Sequence, residues 1–182
     1  MKRLAIATIM LALATAALAQ SKAPDQTTSN PVVSTVRQME GRQAKNLIGA
    51  AEEMPADKYG YRPTPEQMTF AHLVMHSAQA NNAFCAGIAG EPAREMKLSE
   101  SDSKETLTKA LKDSFTYCEQ VLAKADDSAL GQSVTLFEGQ TATRASALVR
   151  LAASWADHYS AAAMYLRLNN LLPPSAKKPA GK

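Results

Sequence analysis

The chain has three histidines, His72, His76 and His158. They are the side chains best suited to binding a metal or moving a proton near neutral pH. His72 and His76 stand four residues apart, a spacing that puts them one turn apart on one face of a helix. With His158 brought in from a second helix, they would offer three imidazole nitrogens and leave positions open for water or substrate. Zinc, nickel or iron would suit such a set, because imidazole alone does not choose among them. The bound divalent metal would lower the pKa of a coordinated water or thiol and so supply a nucleophile. Each histidine also has a plainer reading as a structural or solvated residue. Ser154 lies four residues before His158, but Asp157 faces elsewhere, so a Ser–His pair would lack an orienting carboxylate. The sequence contains no Gly-rich phosphate loop, no GxSxG, no HExxH and no CxxCH, which removes the chemistries those patterns carry.

Apolar periodicity places these side chains on helices. Val33, Val36, Ala44, Leu47, Ile48, Ala51 and Met54 recur at helical spacing from Pro31, with Asn30 as the expected cap and Pro55 as the stop. Arg37 and Glu40 fall near that stripe and read as a paired structural contact. The segment 57–65 reads as a loop in which Tyr59, Tyr61 and Arg62 either line a pocket mouth or lid the end of the fold. Thr64-Pro65-Glu66-Gln67 has the form of a capping box, so a second helix is expected over 65–89. On it Phe70, Leu73, Val74, Ser77, Asn81, Phe84 and Ile88 share a face, His76 lies on the flank, and His72 turns further toward solvent. A polar connection follows over 91–102. A third helix, capped by Ser101 or Ser103, carries Leu107, Leu111, Ser114, Cys118, Val121 and Leu122 and ends near Lys124. Residues 126–140 read as a long loop with a small apolar cluster of Val134, Leu136 and Phe137. A fourth helix, opened by Thr141 or Thr143, buries Leu148, Leu151, Trp155 and Leu166, with Ser154, His158 and Tyr165 along one flank. It ends at Asn169-Asn170, before Pro173-Pro174. Four long amphipathic helices in one chain imply an all-α four-helix bundle.

Residues 1–19 have the form of a secretory signal peptide: Lys2 and Arg3, an uncharged apolar run, and Ala17-Leu18-Ala19 before the expected cut. The run is too short to span a bilayer, so no stable membrane span is expected after cleavage. Cleavage removes two of the 20 basic residues against 17 acidic ones, leaving a formal charge of +1. So small an excess implies no nucleic-acid partner. Residues 20–30 read as a flexible leader and 176–182 as a disordered basic tail. Export, to periplasm or extracellular space, would put Cys85 and Cys118 in an oxidising compartment. Their spacing fits neither a zinc site nor a redox pair. A disulfide is within reach if the second and third helices are parallel and out of reach if they are antiparallel; two buried thiols are the alternative.

Four stretches, YGYRPTPE, FAHLVMHSAQANNAFC, KALKDSFTYCEQ and HYSAAAMYLRLNNLLPPS, together resemble the DinB-like superfamily, the bundles related to damage-inducible DinB and to bacillithiol S-transferases. The resemblance covers nearly all of the chain after the leader. It implies an up-down-down-up bundle, in which the second and third helices are parallel. It also implies a divalent metal held by one histidine of the second helix, which falls on His76, and two of the fourth, which fall on Ser154 and His158. Serine is not a usual ligand, and only His72 is left as a third imidazole. Ser160-Ala161 stand where Gly-Gln is common, and Asn170 where Gly is common. The resemblance therefore implies a metal-dependent enzyme similar to the thiol S-transferases, with an incomplete histidine site. The alternative is a non-enzymatic envelope stress or binding module with a degenerate pocket. Either would take a small-molecule ligand, and a homodimer is compatible with both.

Overall fold

The four apolar stripes form four helices: α1 (Pro31–Glu53), α2 (Phe70–Ala89), α3 (Lys104–Lys124) and α4 (Arg144–Leu168). The computed structural model describes residues 29–177. The expected signal peptide, most of the expected leader, and residues 178–182 lie outside the described residues. Of the expected tail, Ala176 closes a short 3-10 turn and Lys177 pairs with Glu53.

Pairings across the bundle give its topology. Asn81 meets Ser114 and Cys85 meets Cys118, so positions rise together along α2 and α3, which run parallel. His76 meets His158 while Asn81 meets Trp155, so α4 runs antiparallel to α2. Glu52 of α1 pairs with Lys112, and the carbonyls of Glu52 and Met54 accept from Lys104, so α1 ends where α3 begins. The result is the up-down-down-up order. Parallel α2 and α3 require the long crossover at 91–102, and they bring Cys85 and Cys118 level. These two cysteines form a disulfide with Cα atoms 5.3 Å apart. Closing a loop across 33 positions stabilises the fold by roughly 3–4 kcal/mol in the chain-entropy account.

Helix ends differ from the sequence expectation at two places. Asn30 does not cap α1 through its side chain. Asp127 does so instead, its two carboxylate oxygens each accepting at 2.9 Å from the amides of Val32 and Val33. Asn30 Oδ1 accepts in turn from the Asp127 amide. A carboxylate suits a helix N-terminus better than an amide oxygen, because it also meets the positive end of the dipole. Helix α2 begins at Phe70 rather than Pro65, capped by Thr69, which accepts from the His72 amide. Thr64 and Gln67 form only a turn. The amides of Phe70 and Ala71 donate to the carbonyls of Tyr61 and Tyr59, and Tyr165 Oη donates to the Met68 carbonyl. These bonds hold 59–69 as a lid of turns and bends, and the local capping box does not override them. Tyr59 is buried in that lid, donating to the Ala51 carbonyl at 2.6 Å with its ring edge-on to Phe70. Just past Tyr165, at the C-terminal end of α4, Asn170 has φ 59 and the Leu171 amide closes onto the Leu166 carbonyl. That left-handed position explains why a glycine or an asparagine fits there.

Part of the 126–140 stretch, read as loop, is a small antiparallel hairpin that continues past it: β1 (Ser133–Thr135) pairs with β2 (Thr141–Thr143). It lies on α2 at Gly87, where an added Cβ would come within 2.8 Å of both Leu136 Cδ2 and the Thr135 carbonyl. Val134 and Leu136 are buried against the bundle.

At mid-bundle the core contains a polar junction. Asn81 is 2 % exposed; its amide donates to Ser114 Oγ at 3.0 Å and its carbonyl accepts from Trp155 Nε1 at 2.7 Å. One side chain of α2 thus satisfies a buried donor of α4 and holds α3. Replacing Asn81 by alanine strands the indole N–H and removes the Ser114 partner. With about 1–3 kcal/mol for each orphaned buried group, the expected loss is about 2–5 kcal/mol in urea unfolding. A loss below about 1 kcal/mol would show that the junction is not structural.

Candidate functional site

Helix α2 presents His76 and helix α4 presents His158, and the antiparallel packing places their rings edge to face with centroids 5.0 Å apart. They line a cavity of about 490 Å³ with Leu73, Ala161, Met68, Met164 and Tyr165 as its apolar wall and Glu66 and Asp157 as its carboxylates. Ser154, one turn before His158, places its Oγ 3.5 Å from His158 Nδ1. This long contact biases the ring orientation and leaves Nε2 as the nitrogen without a protein partner among the described residues.

His72 does not join them. Its ring lies 6.4 Å from that of His76, and its Nδ1 is 3.3 Å from Glu100 Oε2, which also accepts from Thr69. The crossover covers His72, leaving it half-buried while His76 is exposed. That reverses the order that helical rotation alone predicts, because rotation knows nothing of the 91–102 segment.

Burial of the cationic form lowers the pKa of His158 below the ordinary 6.5, and the neighbouring His76 lowers it further, against a smaller opposing effect of Asp157. His76 is lowered by the same desolvation and by His72. Two neighbouring imidazoles also cannot easily both be charged. At neutral pH the pair is therefore neutral, with lone pairs available to accept a proton or coordinate a metal.

A three-nitrogen metal centre needs a third ligand aimed at the same point. His72 contacts Glu100 through Nδ1, Ser154 is a neutral hydroxyl, and among the described residues no group of three or more His, Cys, Asp or Glu side chains is arranged to hold an ion. Of the three histidines, the packing brings His76 and His158 closest together.

Two residues named in the sequence reading take surroundings that it did not assign them. Tyr165, placed on the flank of α4, is buried. It closes the cavity floor by its bond to Met68 and its edge-on contact with Tyr61. Its signal was its position two turns after His158, on the same side of the helix. Glu40 is not in an ion pair with Arg37 among the described residues. It is buried, and desolvation with the nearby Glu119 raises its pKa to about 7 despite Arg37. A carboxyl among apolar neighbours in α1 was visible, but Glu119 facing it from α3 was not.

A family model described as the DinB superfamily matches residues 41–162. Among solved structures, a DinB-like protein from Bacillus cereus ATCC 10987 superposes with a TM-score of 0.64 at 14% identity, covering 78% of this chain and 95% of its own. A DinB-like protein from Bacillus subtilis gives 0.62 at 18% identity, covering 82% and 100%. A mycothiol-dependent maleylpyruvate isomerase gives 0.58 at 13% identity over 70% of this chain, which spans 59% of that protein. Identities this low carry the fold alone. No curated protein matches the sequence.

The pKa shifts predict a pH signature. His76 and His158 resist protonation when folded, so the stability their neutral forms contribute is present above pH 6.5 and lost as pH falls through their lowered values. Glu40 acts oppositely: its contribution is full below 4.5 and lost as pH rises through about 7. Relative to the parent, His158→Gln should gain stability as pH drops from about 7.5 to about 5, and Glu40→Gln should gain as pH rises over that range. Urea unfolding at both pH values checks this, and parallel profiles for all three proteins would contradict it.

Proposed function

The chain belongs to the DinB superfamily, and from that premise we propose that it is an exported member that binds a small organic molecule in the α2–α4 cavity. The ligand lies against the neutral imidazoles of His76 and His158. The observation that carries this reading is their 5.0 Å approach on the wall of one cavity, with a serine where a third ligand would stand. Imidazole lone pairs accept from a hydroxyl, amine or thiol, and Leu73, Met68 and Met164 cover an apolar body. The sequence of residues 1–19 supports export, as does the Cys85–Cys118 pair, since disulfides persist in oxidising compartments. No helix of the described residues is long and apolar enough to cross a membrane.

A second reading, a metal-dependent enzyme similar to thiol transferases, draws on the two retained histidines and on the fold shared with the mycothiol-dependent isomerase. In it His76 and His158 would be two ligands of a divalent ion, which would supply an activated water or thiolate. His72 could become the third through Nε2 if its ring moved closer to the pair, and its Nδ1 contact with Glu100 would then orient it.

The two readings separate on metal affinity. A ligand that binds only the native state raises Tm with concentration. Purified protein should carry less than about 0.1 equivalent of zinc, nickel or iron, and Tm should move by less than about 1 °C in excess zinc or nickel. One equivalent of retained metal, or a rise of several degrees lost in His76→Ala, would establish the enzyme reading instead.

A further inference from the structure

At the far end of α2 from its N-terminus, two hollows share a wall. One, of about 460 Å³, lies between the last turns of α2 and the hairpin, with Ala83, Val134, Leu136 and Phe137 among its lining side chains. The other, of about 260 Å³, lies by the ends of α2 and α3 and is lined by Arg94, Tyr117 and Lys124 among others. Arg144, the first residue of α4, and Glu91 line both.

Arg144 Nε is buried and has no hydrogen-bond partner among the described residues. A buried guanidinium N–H without an acceptor is costly, and structures rarely leave one so. Nor do Arg94, Lys124 or Arg144 form an ion pair among the described residues. Arg94 stacks on the Tyr117 ring at 4.7 Å, and Lys124 sits in the last turn of α3, where the helix dipole favours a cation. Those roles place the two cations without neutralising them. Among the described lining residues the single carboxylate is Glu91, which accepts from Tyr117 Oη at 3.4 Å. Counted over those residues, the local charge is three cations against one anion. The first amides of α4 are already satisfied, by the carbonyls of Gln132 and Leu130 and by Thr143 Oγ1, so any anion held here is held by side chains.

We propose that this is a second binding site, for an organic anion with an apolar body, of the alkyl carboxylate class. The carboxylate lies against Arg144 and supplies the acceptor that Nε lacks. The alkyl body lies along Ala83, Val134, Leu136 and Phe137. Arg94 and Lys124, beyond the shared wall, add positive potential and raise the local concentration of anions. The apolar wall separates this ligand from an inorganic anion, and Arg144 separates it from a neutral alcohol.

The probes are octanoate, 1-octanol and inorganic phosphate, titrated calorimetrically into the full chain at neutral pH. Octanoate should bind saturably, and the other two at least about tenfold more weakly, because each lacks either the charge or the apolar body. Arg144→Gln should weaken octanoate about tenfold or more. Lys124→Gln changes an exposed side chain and should weaken it about two- to threefold, as should a rise in salt. His158→Gln should leave it unchanged, which separates this site from the α2–α4 cavity. No octanoate binding overturns the proposal, as does equal binding of phosphate or of octanol. Unchanged affinity in a folded Arg144→Gln also overturns it. If that variant does not fold, octanoate binding indifferent to both Lys124→Gln and salt overturns it.

Discussion

The buried amide of Asn81 is the contact on which the rest of the bundle is arranged. It reaches Ser114 on α3 and Trp155 on α4, so the depth at which three helices meet is set by hydrogen bonds, where apolar contact alone would allow sliding. Apolar faces tolerate a shift of register; a buried indole N–H with one acceptor does not. From that junction Cys85 lies one turn along α2 and meets Cys118, one turn along α3 from Ser114. In the other direction along α2 lies His76, and the antiparallel α4 brings His158 to it. The disulfide and the histidine pair sit on opposite sides of one fixed level.

That geometry explains the electrostatics of the pair. Two imidazoles brought together beside apolar walls lose solvation for their charged forms and repel each other when charged. Neutral nitrogens are what a metal or a hydrogen-bond donor requires. The fold thus pairs two neutral imidazoles, with the Ser154 hydroxyl beside His158. The crossover that makes α2 and α3 parallel also supplies Glu100, which contacts Nδ1 of His72. The same segment that builds the topology therefore touches the third histidine.

Most of the fold was legible in the sequence because helix periodicity and Pro or Gly stops are local signals. The Cys85–Cys118 spacing became informative once parallel α2 and α3 were expected. The misreadings involve partners distant in the chain. Asp127 caps α1 from 94 or more positions away, and the Tyr59 and Tyr61 carbonyls, with Tyr165 Oη on Met68, move the start of α2 to Phe70. The hairpin at 133–143 has strands of three residues, too short for an alternating pattern to register. At the site, His76 and His158 were placed by family resemblance, and the absence of a third nitrogen was visible at Ser154. The hold of Glu100 on His72 and the cavity floor at Tyr165 depend on tertiary packing that no spacing encodes.

The central claim is that His76 and His158 face one cavity as a neutral pair without a third protein ligand. Anomalous diffraction from crystals soaked in zinc tests it directly. The account predicts no ordered zinc bound by both imidazoles together with a third side chain, and His72 still on Glu100. A fully occupied zinc held by His76, His158 and either His72 or Ser154 would contradict it.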